Sequence, residues 1–168
     1  MKKLLVILCV SLFTASTFAQ GKYIVPTPSD LQKYQDVAWQ WNNAYILLVS
    51  QAKAMGKSAG EAGSFVGDMV KTTWNKEIGF DGFVNNILYI WVNFNAGGTV
   101  EISEQSDIKV IFLVKDFHPK DALPLYNVTY NEYLQFFESF LSKLAEHMGS
   151  TYAQKDTEEG LIITMTKK

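Results

Sequence analysis

The apolar period of this chain first changes around Ala96-Gly97-Gly98, and the alternation that follows limits the folds open to it. Upstream, apolar residues recur at steps of three and four, the signature of amphipathic helices. Downstream the step falls to two, returns to the helical spacing after Thr129, and falls to two again after Gly149. Helices therefore precede and interrupt antiparallel hairpins, which predicts an α+β layer domain of element order α-α-α-β-β-α-β-β. Its core is a four-stranded antiparallel sheet, built from two hairpins and packed on helices.

The first helix is expected from a cap at Ser29, with Gln32 completing a capping box, to a stop at Gly56. Leu31, Tyr34, Ala38, Trp41, Tyr45, Leu48, Ala52 and Met55 follow steps of three and four, and this stripe is expected to pack on the protein's own sheet or helices. A second helix opens at Ser58 with a capping box to Glu61 and buries Ala62, Phe65, Val66, Met69, Val70 and Trp74. A third runs from about Phe83 to Phe94, capped by Asp81, with Phe83, Ile87, Ile90, Trp91 and Phe94 inside. Val100 and Ile102 begin a hairpin whose second strand, Ile108–Val114, is apolar on both faces and so is expected to be central and covered. Thr129 and Glu132 form a third capping box ahead of the last helix, which ends at Gly149. A second hairpin, Thr151–Gln154 and Leu161–Thr166, closes the chain.

Residues 1–19 read as a signal peptide, leaving residues 20–168 as a single domain. Met1-Lys2-Lys3 is positive, Leu4–Phe13 is apolar but shorter than the roughly 20 residues of a membrane span, and Thr17 and Ala19 stand before a cut at Gln20. Export to the periplasm or the exterior follows, with no integral membrane span after cleavage. Cys9 is the sole cysteine and lies in the leader without the small residues of a lipobox, so the exported domain has no thiol and no disulfide. All fifteen basic residues are lysine. Without arginine, and with a net charge of −4 once Lys2 and Lys3 are gone, the domain is a poor partner for nucleic acid or anionic lipid.

Catalytic signatures are sparse. His118, with Asp116 and Asp121 nearby, and His147 in a last helical turn follow no metal-ligand spacing, so no metal site and no cofactor is expected. Gly56–Gly63 contains Gly-Lys-Ser, but position 51 is Gln where a P-loop needs glycine, and the run reads better as a helix stop, a cap and a small-residue face for close packing. Asn127-Val128-Thr129 matches a glycosylation sequon, although Thr129 serves better as a cap. Glu77 and Asp81 in the loop WNKEIGFDGF are the only candidates for acid–base work. The more prominent constellation is aromatic: Trp39, Trp41, Tyr45, Trp74, Phe80, Phe83 and Trp91 are the expected ligand-binding residues, with Tyr89 beside them. Trp39 and Trp41 sit about 200° apart on a helix, so one is expected in the core and the other facing elsewhere.

The stretch AKAMGKSAGEAGSFVGDMVKTTW, followed by a hairpin, a long helix and a closing hairpin, resembles the group of vinyl-reductase-type small-molecule-binding domains and amino-thiazoline-carboxylic acid hydrolase-like proteins. The resemblance covers element order over most of residues 20–168. It implies a binding pocket rather than the hydrolase activity, because that chemistry expects a cysteine. The expected function is thus a non-catalytic exported domain binding a small apolar ligand between helices and sheet. An envelope interaction or assembly protein using an aromatic helix face is the alternative, and a hydrolase using Glu77 or Asp81 the third.

Overall fold

The structure, a computed structural model, describes residues 28–95, 98–117 and 122–168. The leader, its cut at Gln20, Cys9, His118 and Asp121 lie outside the described residues. Residues Leu31–Lys168 form one compact unit. Its elements are α1 (Asp30–Ala54), α2 (Ala59–Val70), α3 (Gly79–Phe94), β1 (Thr99–Gln105), β2 (Lys109–Lys115), α4 (Tyr130–His147), β3 (Ser150–Thr157) and β4 (Gly160–Lys167), with short 3-10 turns at Lys71–Thr73, Lys76–Ile78 and Leu123–Tyr126. The fold is α+β, in the expected order.

The four strands form one antiparallel sheet in the order β1-β2-β4-β3, so the two hairpins join through β2 and β4. Val110, Phe112 and Val114 of β2 and Leu161, Ile163 and Met165 of β4 point to one face and are buried beneath the helices. The covered-strand expectation for β2 is corrected in part. It is central, but Ile111 and Leu113 on its second face are only half-buried. Charged residues on β1 and β3 border that second face: Glu101 pairs in register with Leu113, Glu104 with Ile111, and Lys155 with Ile162.

The capping boxes at Ser58/Glu61 and Thr129/Glu132 are both present, each with the cap hydroxyl accepting from the glutamate N–H and the carboxylate accepting from the cap N–H. These bonds hold the Glu61 and Glu132 carboxyls below the usual carboxylate range. Asp81 is not a cap: α3 begins two residues earlier, at Gly79, after an Asn75 side chain has capped the preceding 3-10 turn through the Glu77 N–H.

α2 lies on α4 through glycine. A Cβ on Gly63 would stand 2.1 Å from the Phe136 carbonyl oxygen, and one on Gly67 would stand 2.6 Å from the Lys143 Cβ. Ala59, Gly63 and Gly67 are the buried face of α2, so the small-residue packing expected for this run is present. Phe65 and Met69, expected inside, are exposed. Close backbone approach displaces large side chains to the flanks of such a contact.

The core is unusually aromatic. Tyr133, Phe136, Phe137 and Phe140 of α4 meet Tyr45, Trp91, Phe94 and Phe117, with ring centroids 5.3–6.2 Å apart. Burial raises the Tyr133 and Tyr152 phenols well above their ordinary range, and burial next to Asp156 pushes Tyr130 up to about 12. The unfolded chain ionises its tyrosines near pH 10, while the native chain keeps these three protonated. Above that pH the native state binds more protons, so its stability falls as pH rises. The urea midpoint is therefore expected to fall from about pH 10 upward, and less steeply in Tyr130→Phe.

Candidate functional site

α1 is the element on which the sequence reading and the structure diverge most. Its buried residues are Ala38, Asn42, Ile46 and Val49. Leu31, Trp41, Leu48 and Met55, expected inside, are exposed. The expectation that one of Trp39 and Trp41 enters the core is also corrected: they are 47% and 55% exposed.

The cause lies in residues 37–52, which contain no charged side chain. At 100° per residue, Val37, Trp41, Ala44, Leu48, Gln51 and Met55 fall on the side opposite Ile46 and Asn42. All six are exposed, Val37 at 49% and Met55 at 76%. α1 is therefore apolar on two sides. A helix apolar all round is ordinarily buried all round, and this one buries a single side within the described residues.

α1 is tied to the rest of the domain through its other side and its ends. The Tyr133 hydroxyl donates to Asn42 Oδ1, and Asn42 Nδ2 donates to the Ala38 carbonyl at 2.9 Å and to the Phe94 carbonyl at 3.1 Å. The Tyr34 hydroxyl donates to the Val92 carbonyl. At the other end, Lys53 Nζ donates to the Asn127 carbonyl at 2.6 Å and pairs with Glu132 at 2.9 Å. Tyr45 sits between these ties, against Phe94, Phe136, Phe137 and Phe140. Asn42 was absent from the sequence-derived candidates because a lone asparagine in a helix reads as surface. Its only signal was its place, four residues from both Ala38 and Ile46.

The seven aromatic residues expected to line one ligand pocket are dispersed. Trp39 and Trp41 are both exposed, on different sides of α1, with Trp41 stacking on Tyr45 at 6.4 Å. Trp74 packs edge-on to Phe83 at 5.6 Å, Phe80 is buried, and Trp91 is fully buried edge-on to Phe117 at 5.2 Å.

A groove of about 450 Å³ lies between α3 and the β1–β2 turn, lined by Asp81, Asn85, Leu88, Gln105 and Asp107 among others. Of the expected site residues only Asp81 reaches it. Glu77 is exposed at the preceding turn, 3.4 Å from the Asn75 amide, and does not share the groove. The remaining groove residues escaped the sequence reading because nothing in the sequence brings a turn at 105–107 beside a helix at 81–88.

His147 Nε2 lies 3.3 Å from the Trp74 carbonyl. Among the described residues, no three His, Cys, Asp or Glu side chains converge as metal ligands, and no helix is long and apolar enough to cross a membrane. No protein-family model matches the chain, and no curated protein sequence matches it.

Proposed function

We propose that this chain is an exported interaction or assembly protein that docks through the outer face of α1. The observation that carries the reading is the run Val37, Trp41, Ala44, Leu48, Gln51 and Met55, exposed along a helix with no charge from 37 to 52. Contiguous exposed apolar surface of this kind marks interaction sites. Tryptophan and methionine are enriched at the centres of interfaces, where lysine and glutamate are depleted. The second face of the sheet makes a useful contrast: it too has apolar residues, but Glu101, Glu104 and Lys155 border it, a usual protection against unwanted association.

Export follows from the leader-like residues 1–19. A small apolar ligand held between helices and sheet draws less support, since the aromatic residues proposed for it either pack on one another or face outward. Acid–base catalysis by Glu77 with Asp81 draws less still, as the two do not share a groove.

The test is a photo-crosslinking amino acid in place of Leu48, with Gln135 on the exposed side of α4 as control, irradiated in living producer cells. Adducts at 48 and none at 135 are expected. Equal or absent crosslinking at the two positions contradicts the reading.

A further inference from the structure

Resting on that docking reading, we propose that the occupant of the α1 face is a second copy of this chain, paired antiparallel about a two-fold axis beside residue 46. The six residues of the stripe are spaced 4, 3, 4, 3, 4, the seam spacing of paired helices. Reversing the helix about position 46 maps the stripe onto itself. Val37 then faces the partner's Met55, Trp41 faces the partner's Gln51, and Ala44 faces the partner's Leu48. Every layer sets a larger side chain against a smaller one, which is how facing positions interdigitate without voids. A parallel pair would instead set Trp41 against the partner's Trp41 and Ala44 against the partner's Ala44, crowding one layer and emptying the next.

Charge favours the same arrangement. The uncharged stretch is bounded by Asp36 at one end and by Lys53 and Lys57 at the other. Asp36 is exposed; Lys53 is held by Glu132 at 2.9 Å, whereas Lys57, 59% exposed, has a longer 3.4 Å pair with Glu61 and is the lysine a partner can reach. In an antiparallel pair Asp36 approaches the partner's Lys57, at both ends of the seam, and the helix dipoles oppose. In a parallel pair like charges meet. The seam from Val37 to Met55 runs along roughly 27 Å of helix axis, and the interface is isologous, so it closes at two copies rather than growing into a filament.

Sedimentation of the purified protein across the micromolar range is expected to show a dimer, and Trp41→Glu a monomer with an unchanged circular dichroism spectrum. In a Cys9→Ser background, the double variant Val37→Cys/Met55→Cys is expected to form a disulfide-linked dimer on mild oxidation, while neither single variant does. Crosslinking of Val37→Cys to itself would overturn the antiparallel pairing. A monomer at every concentration would overturn the second copy. In that case an adduct of Leu48 with a different protein, or Trp41-dependent binding to vesicles of phosphatidylethanolamine and phosphatidylglycerol, leaves α1 as a docking face with another occupant. No adduct and no vesicle binding remove the docking reading as well.

Discussion

Replacing Gly63 with alanine is expected to lower the melting temperature by roughly 6–12 °C, the equivalent of about 3 kcal/mol in a domain of this size. The same change at Gly60 is expected to leave it unchanged or slightly higher. Alanine is worth about 1 kcal/mol more than glycine inside a helix, so both substitutions begin with a gain. At Gly60 the new methyl group meets only the Ser139 hydroxyl at 3.2 Å, and that hydroxyl can rotate away. At Gly63 it meets the Phe136 carbonyl oxygen at 2.1 Å and the carbonyl carbon at 2.9 Å. Backbone of α4 cannot turn aside, so α2 must lift away from it. That loosens Gly67 against the Phe140 carbonyl and Lys143, and with it the contact of the two helices along its length. Paired thermal melts of the two variants check this, and similar behaviour at both positions would contradict the close-approach account.

Asn42→Leu is expected to cost about 2–4 kcal/mol, although it replaces a polar residue in a buried position with an apolar one. Tyr133 is fully buried, and its hydroxyl would lose its acceptor. The Phe94 carbonyl, at the C-terminal end of α3 where helical partners run out, would lose a donor. Tyr133→Phe alone leaves Asn42 Oδ1 unmatched and is expected to cost about 1–2 kcal/mol. The double variant removes both ends of the bond together, so it is expected to cost less than the two single changes added, by at least about 1 kcal/mol. Urea unfolding of the four proteins measures that coupling directly. Strict additivity would mean that the Tyr133–Asn42 bond does not fasten α1 to α4.

The two largest effects thus fall on a glycine and an asparagine, and the sequence made one of them easier to read than the other. Gly60, Gly63 and Gly67 lie on one helical side, so a small-residue contact could be anticipated, though not which helix it meets. The capping boxes at Ser58/Glu61 and Thr129/Glu132 were legible because their residues interact across only three positions. The four-stranded antiparallel sheet was legible because two hairpins with apolar alternation can share one helix-covered face, although the order in which the hairpins join was not. The buried side of α1 was not. With sixteen uncharged residues in a row, several three-and-four stripes fit the pattern, and the one containing Trp41, Leu48 and Met55 has the larger side chains. Burial instead follows Ala38, Asn42, Ile46 and Val49, because Asn42 can satisfy its amide on the Phe94 carbonyl and the Tyr133 hydroxyl. That choice depends on residues more than fifty positions away. The groove beside Asp81 was hidden for the same reason: its walls come from two elements that meet only in the fold.

The outer stripe of α1 is the consequence of that choice, and two methionines report on it. Met55 is 76% exposed in the isolated chain and Met69, on α2, is 63% exposed. Oxidation by dilute peroxide in intact producer cells, read residue by residue by mass spectrometry, should therefore be slightly faster at Met55 if the α1 face is bare. The docking account predicts the reverse: Met55 oxidised several-fold more slowly than Met69, with the order restored in Trp41→Glu. Met55 oxidised as fast as Met69 in the unaltered protein would contradict it.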